Sequence, residues 1–392
     1  MRVLFVLEYF WPQVGGVETL FDTLARSLVE HGHSADVLTT RLEGTPRFEE
    51  RAGVRIHRVG RARGTDRLAF TLQATPLAVR LARRADVIHT TTYNAAPPAW
   101  LAGRLARRPV VITVHEVLGG AWHALPGLSW PQAALLRALE YACVKLPFQG
   151  YVGVSRSTRA ALRQIGVPDE RLTFIYNGMD LHGWAADPEL AARLRSELLP
   201  AGTEGPLFTY YGRPGVTKGV EVLIAAFERV RQQLPQARLR LILGNYPQER
   251  RAELERLALA RLGEAVRVLP SVPRAELPSY LVASDAVVVP SLTEGFGFTA
   301  AEAAALGVPV VASDVGSLPE VLTERNVLVP PGDPQALAAG LLRVWRTPRP
   351  QVPPREFSLG EMTLAYEAVY RHLLAGRTPV APDLADVLPG RS

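Results

Sequence analysis

Pro206-Leu207-Phe208-Thr209-Tyr210-Tyr211-Gly212-Arg213-Pro214-Gly215-Val216-Thr217-Lys218-Gly219 is the stretch on which the fold turns. The apolar and aromatic run over 206–211 reads as a buried strand, a glycine-bearing turn follows, and a helical pattern over 219–234 opens directly behind it. Strand, turn and helix in that order are the beginning of a βαβ unit, the element of parallel sheets. The turn is not a Walker loop, because its lysine precedes a glycine and no serine or threonine follows. It does set Arg213 and Lys218 beside a helix N-terminus, three sources of positive potential at one point. Such a group suits a diphosphate leaving without a metal. Lysine usage adds weight: only Lys145 and Lys218 are lysines among 44 basic residues, so a retained ammonium at 218 points to a need for that group.

The same alternation extends both ways. Before the stretch, strands are expected at 2–7, 34–40, 53–58, 86–90, 109–115, 150–155 and 172–176, with helices such as 17–31, 95–107, 132–146 and 156–165 between most of them. After it, strands are expected at 238–243, 265–269, 285–290, 308–312 and 326–329, joined by helices near 248–261, 275–283, 299–306 and 333–346. At 392 residues the chain exceeds one ordinary core, and two domains of roughly 190 residues follow. Pro200-Ala201-Gly202-Thr203-Glu204-Gly205-Pro206 reads as the linker between residues 1–199 and a second domain over 206–355. The expected class is α/β, two Rossmann-like domains facing across a cleft, with ligands at the carboxyl ends of the strands. The tail over 376–392 reads as flexible.

Two further strand-to-helix loops carry informative residues. Phe10 to Glu18 contains the pair Gly15-Gly16, where backbone can approach a ligand and free N–H groups can face it; tight turns require glycines too. Pro290-Ser291-Leu292-Thr293-Glu294-Gly295-Phe296-Gly297-Phe298-Thr299 runs into a helix that bears Glu302. Eight residues of helix would separate Glu294 and Glu302 by about 12 Å, too far for the paired carboxylates of a glycosidase. Glu294 belongs to the loop and Glu302 to the first turns of the helix, where the two would hold different parts of one long ligand. Thr299-Ala300-Ala301-Glu302 also has the spacing of a capping box, the structural alternative for Glu302.

Composition narrows the classes. Residues 1–200 hold 24 Arg and Lys against 18 Asp and Glu, whereas the remainder is balanced. Residues 41–67 alone carry eight arginines against four acids, a surface suited to anionic lipid, acidic glycan or nucleic acid, or simply a solvated face. Cys143 is the only cysteine, which excludes an internal disulfide or a cysteine metal cluster and fits a cytoplasmic setting. No apolar run reaches the length of a spanning helix, and Glu8 ends the first apolar run too soon for a signal peptide. There is no Asp-x-Asp pair and no His/Cys cluster, so no metal site is expected.

With these residues in hand, the chain resembles the family 4 glycosyltransferases, retaining enzymes of the GT-B fold (glycosyltransferase group 1). The motifs are Gly15-Gly16-Val17-Glu18, Val114-His115-Glu116, Tyr176-Asn177-Gly178-Met179-Asp180, Gly212-Arg213 with Lys218-Gly219, and Glu294-Gly295-Phe296-Gly297 with Glu302, in the family's order. The resemblance implies an N-terminal acceptor domain, a C-terminal nucleotide-sugar domain, and a last helix, 356–375, that crosses back to the first. It implies Gly15 and Gly16 against phosphate or acceptor, Arg213 and Lys218 on the diphosphate, and Glu294 with Gly295, Phe296, Gly297 and Phe298 around the donor sugar. Glu302 would take the ribose hydroxyls and His115 would face the reacting sugar. The donor is a nucleotide-diphosphate sugar, with no separate cofactor and no metal. The acceptor is a glycan or lipid-linked hydroxyl, of the kind found in cell-envelope glycan biosynthesis. Three departures bear on base recognition: Gly244-Asn245-Tyr246-Pro247, Leu269-Pro270-Ser271, and Asn326 where glycine is common.

The aromatic stretch Gly119 to Trp130, next to the basic excess, is expected to dock at an anionic membrane surface or to pack inward. Nucleic acid is not an expected partner. The rival readings are a sugar-nucleotide epimerase and a non-catalytic sugar-nucleotide scaffold. A hydride-transferring enzyme is disfavoured because the first loop lacks Gly-x-Gly-x-x-Gly, and a phosphorylase because no pyridoxal-phosphate lysine is evident.

Overall fold

The computed structural model describes residues 1–13, 15–60, 67–125, 127–347 and 352–378. The chain divides into two compact units, Met1–Asp180 together with the segment from Phe357 onward, and Leu181–Glu356.

In the first unit, β1 (Arg2–Val6) leads to α1 (Gly16–Glu30), then to β2 (Ser34–Thr40), β3 (Phe48–Arg51), β4 (Val54–Val59) and α2 (Arg67–Ala82). Next come β5 (Val87–Thr91), α3 (Ala96–Ala106), β6 (Val110–Val114), α4 (Trp130–Val144), β7 (Gly150–Gly153), α5 (Arg156–Gln164) and β8 (Leu172–Phe174). The sheet order is β3-β4-β2-β1-β5-β6-β7-β8, parallel except where β3 runs against β4. Strands β5, β6 and β7 are buried at every residue, as expected where helices cover both faces of a parallel sheet. Side chains alternate between those faces. Val3, Phe5 and Leu7 pack with Phe21, Leu24 and Leu28 of α1; Leu4 and Val6 pack with Phe70, Ala74 and Ala78 of α2 and with Ala99 and Ala102 of α3.

In the second unit, α6 (Pro188–Ser196) precedes β9 (Leu207–Gly212), α7 (Val220–Gln233), β10 (Arg238–Leu243), α8 (Gln248–Leu262), β11 (Val266–Leu269) and α9 (Leu277–Val282). Then follow β12 (Ala286–Val289), α10 (Phe298–Ala305), β13 (Val310–Ser313), α11 (Leu318–Val321), β14 (Val327–Val329) and α12 (Pro334–Arg346). All six strands are parallel, in the order β11-β10-β9-β12-β13-β14. This is the doubly wound arrangement whose order reverses between the first and fourth strands, here β9 and β12.

The boundary differs from the expected linker at 200–205. Residues 181–199 pack in the second unit, not the first. The Asp187 backbone N–H donates to Ser279 Oγ at 2.9 Å, and Arg195 donates to the Ala283 carbonyl and the Asp285 carboxylate, both at 3.0 Å. The proline- and glycine-rich run is a loop inside this unit.

The last helix, α13 (Leu359–Leu374), belongs to the first unit and packs on α1. Its Tyr370 hydroxyl lies 2.6 Å from His89 Nδ1, its Tyr366 hydroxyl 3.0 Å from Thr113 Oγ1, and Thr113 in turn 2.7 Å from His89 Nε2. Met362, Ala365, Tyr366, Val369, Tyr370 and Leu373 complete the apolar layer over β1 and α1. Of the expected flexible tail, residues 379–392 lie outside the described residues.

Candidate functional site

The switch point of the second sheet is where the loops after β9 and β12 emerge. Gly219 ends a short turn over Val216–Lys218 and begins α7 with φ of 64°. A Cβ there would collide with the Pro290 carbonyl, so only glycine lets the two loops close together. Leu292 N–H donates to the Thr217 carbonyl at 2.7 Å across the same seam. Lys218 Nζ then donates to Glu294 Oε2 at 2.8 Å, and Ser291 Oγ reaches the same oxygen at 3.2 Å. The lysine singled out for diphosphate and the glutamate singled out for sugar therefore hold each other. Arg213 is exposed on the same turn, and its guanidinium makes no ion pair among the described residues.

Glu302 lies inside α10 and is 8% exposed. The helix starts at Phe298 behind Gly297, with no side-chain cap. The capping-box alternative therefore does not hold. Its carboxylate instead accepts from the Tyr211 hydroxyl at 2.7 Å and from Arg274 at 2.8 Å. Burial, reinforced by Glu302 beside it, pushes the Tyr211 phenol well above its usual range, so it stays a donor to that carboxylate. Arg274 also stacks over Trp184, 4.6 Å from the ring centre, and the Trp184 indole N–H donates to the Glu302 carbonyl at 3.2 Å. Gly295, Phe296 and Gly297 form the turn between these two acids, with Phe296 packed edge-on to Phe298 at 5.0 Å.

Sequence reasoning passed over Gly316. Its φ is 57°, and a Cβ there would strike the Glu294 carbonyl. Ser317 N–H donates to that carbonyl at 3.3 Å. The loop after β13 thus buttresses the backbone of Glu294, and the available signal was a glycine between another strand and another helix. Asn326 is explained by structure: its side chain accepts from Val310 N–H at 2.9 Å and donates to the Thr323 carbonyl at 3.1 Å.

The first unit has its own switch point, between β1 and β5. Gly15 and Gly16 stand at the mouth of α1, Gly15 as its cap and Gly16 as its first residue. The Glu18 carboxylate folds back to where a Cβ on Gly15 would stand, a negative group at a positive helix end. Glu8, which sequence reasoning used only to end an apolar run, is 6% exposed and accepts from Asn94 Nδ2 at 3.0 Å.

His115 follows β6. Its Nε2 is buried without a hydrogen-bond partner among the described residues, with the Phe21 ring edge-on at 6.0 Å. Burial brings its pKa down to about 4 and that of His89 to about 3, so both imidazoles are neutral near pH 7. The 119–130 stretch is not one open loop: residues 119–124 form a short 3-10 turn, and Trp130 begins α4. Glu140 of α4 is buried and accepts from the N–H groups of Leu118 and Gly119 at 2.9 and 2.8 Å and from the Trp122 indole at 3.2 Å. In the arginine-rich 41–67 segment, Arg51 pairs with Asp22, Arg55 with Asp36 and Arg58 with Glu49, so part of that charge is spent internally. Arg61 and Arg63 lie outside the described residues. No group of three or more His, Cys, Asp or Glu among the described residues is placed to hold a metal, and no helix among them is long and apolar enough to cross a membrane.

Comparison with known proteins covers both units. A family model described as "Glycosyltransferase Family 4" matches residues 14–182, and one described as "Glycosyl transferases group 1" matches residues 205–347. A relative from Mycolicibacterium smegmatis, the GDP-mannose-dependent alpha-(1-6)-phosphatidylinositol monomannoside mannosyltransferase, is 30% identical over 335 residues, 82% of this chain and 83% of that one. Sucrose-phosphate synthase from Thermosynechococcus elongatus superimposes with a TM-score of 0.78 at 25% identity, over 96% of this chain and 99% of that one. HepE from Anabaena, solved with UDP-glucose, superimposes with a TM-score of 0.69 at 21% identity, over 99% and 97%. The two-unit architecture is the GT-B fold.

Proposed function

Because this chain belongs to family 4 of the glycosyltransferases, we propose that it moves a sugar from a nucleotide-diphosphate donor to a glycan or lipid-linked hydroxyl, with retention and without a metal. The observation that carries this is the Lys218–Glu294 pair at the switch point between β9 and β12. An ammonium beside the first turn of α7 suits a leaving diphosphate. A carboxylate fixed by that ammonium and by Ser291 suits a sugar hydroxyl. Arg213, exposed on the same turn, adds a second cation. Glu302 suits the ribose hydroxyls, and the donor makes its closest contacts with the second unit. A relative whose name includes GDP-mannose supports a nucleotide-diphosphate donor.

In the proposed reaction the bond from the anomeric carbon to the diphosphate oxygen breaks while the acceptor oxygen bonds the same carbon on the same face. The acceptor proton passes to the departing phosphate oxygen. Arg213, Lys218 and the helix N-terminus stabilise the charge that develops on the diphosphate. For the role that the family resemblance gives His115, its half-buried, neutral imidazole serves as a hydrogen-bonding group and not as a cation. A trapped covalent glycosyl-enzyme would exclude this route.

The test is nucleotide release from UDP-, GDP- and ADP-sugars with chelator present, with and without acceptors. Release from one donor that survives chelator and disappears in Lys218→Ala and Glu294→Ala is the expected result. An epimer formed with no nucleotide released would replace transfer with epimerisation, and binding without turnover would leave a scaffold.

A further inference from the structure

Helix α4 is apolar on two sides, and the fold covers one of them. Ala133, Cys143 and Val144 face inward. On the outer side Trp130 is 73% exposed, Leu135 60%, Leu139 54% and Tyr141 47%. Pro131, Ala138 and Ala142 are exposed among them. Positions 131, 135, 138, 139 and 142 follow helical spacing and make one stripe. Among the described residues no other helix carries more than two large exposed apolar side chains. A helix that is apolar all round calls for cover on every side.

The charges on this face indicate what covers it. The exposed side of α4 carries Arg137, and Lys145 follows at its end; it has no carboxylate. The one acid of the helix, Glu140, is turned inward and held by the 118–122 segment. Arg137 makes no ion pair among the described residues. Lys145 lies over the Tyr141 ring at 5.2 Å and donates to the Gly166 carbonyl at 3.1 Å. Aliphatic residues in the middle, a tryptophan and a tyrosine towards the ends and cations only at the margin are the pattern of a helix lying in a lipid interface. A second copy of the chain fits poorly, since a self-complementary contact would set these cations against the same cations.

We propose that α4 docks the first unit on an anionic bilayer surface. The exposed face of α4, with Leu135 and Leu139 on one flank and Trp130 and Tyr141 on the other, enters the headgroup boundary, and Arg137 and Lys145 meet lipid phosphates. The contact is separate from the chemistry of sugar transfer, and its test uses no sugar.

The full chain is sedimented with phosphatidylcholine vesicles containing phosphatidylglycerol, with pure phosphatidylcholine vesicles, and in high salt. Binding is expected to the anionic vesicles, tenfold or more above the neutral ones, and to weaken with salt. Leu135→Ser with Leu139→Ser should reduce it tenfold or more without changing the thermal midpoint. Arg137→Gln with Lys145→Gln should reduce it by roughly 25-fold, about fivefold per cation. The indole of Trp130 should shift its emission to the blue on binding, an effect lost in Trp130→Phe. Nucleotide release without vesicles should be unaltered in the leucine variant, which separates this proposal from the transfer reading. Equal sedimentation of the parent and the leucine variant would overturn the proposal. So would a concentration-dependent dimer that the leucine variant dissolves, which would assign the stripe to a second copy.

Discussion

The two switch points are built from opposite materials. In the second unit, where β9 and β12 part, the groups at hand are charged and already joined: Lys218 with Glu294, and Arg274 with Glu302. In the first unit two central groups are neutral imidazoles, the buried His89 bound to Tyr370 and Thr113, and the half-buried His115 behind Phe21. Ion pairs hold a place for a charged ligand, whose phosphates can replace the carboxylate beside a cation. Neutral imidazoles offer an anion no such charge. One switch point is lined by ion pairs and the other by neutral rings.

The strongest way to break this contrast is at Lys218. Lys218→Ala should lower kcat/KM by about 10²–10³-fold, the usual cost of losing one donor aimed at developing charge. Glu294→Ala should cost a comparable amount, and the double variant little more than the worse single, because the two act as a unit. Full additivity in steady-state kinetics would mean that the pair serves two independent tasks.

Glu302→Ala should come next. It removes the carboxylate shared by Arg274 and the buried Tyr211 hydroxyl, leaving the hydroxyl only the Thr299 carbonyl at 3.1 Å, a loss of about 1–3 kcal/mol in urea unfolding. Nucleotide affinity by calorimetry should fall by about tenfold. Unchanged affinity would confine Glu302 to holding the unit together.

The neutral histidines of the first unit predict a pH signature. Their folded pKa values lie below the ordinary value of 6.5, so as pH falls the unfolded chain takes up protons first. Stability should be unaffected above about 6.5 and lost progressively as pH falls towards 4, by up to about 1.4 kcal/mol per pH unit for each histidine. His115→Gln should flatten the slope by about half; an unaltered slope in denaturant melts would show that His115 does not enter the pH dependence.

The smallest effect is expected at Arg213, which is exposed on its turn. Arg213→Ala should reduce kcat/KM by up to about fivefold and move the unfolding free energy by no more than about 0.5 kcal/mol. A loss as large as that of Lys218→Ala would move the centre of the anion site to the arginine.

Much of this was legible in the sequence because parallel strands buried on both faces leave continuous apolar runs, and the loops behind them carry the chemistry. What escaped had no such pattern. β3, Phe48-Glu49-Glu50-Arg51, is a half-exposed edge strand made largely of charged residues. α2 carries Pro76 in its interior, which reads as a break. α6 is short and polar, held by a cap from Asp187 and by contacts with residues some 90 positions away. That distance is also why the Pro- and Gly-rich run at 200–206 drew the boundary to the wrong place. The Lys218–Glu294, Glu302–Tyr211 and Glu140–Leu118 contacts all join elements far apart in sequence, which no local window contains. The motifs placed Lys218 and Glu294 in loops of the same sheet, but not in each other's reach.

The placement of α13 has a consequence for how the protein is made. Its tyrosines and aliphatic residues close the apolar layer over β1 and α1, yet in chain order it follows the second unit. The first unit must therefore wait, with part of its interior uncovered, while the whole of Leu181–Glu356 is synthesised. The later unit is continuous in sequence and can fold first, so a premature stop before Leu359 would release a finished second unit joined to a permanently open first one.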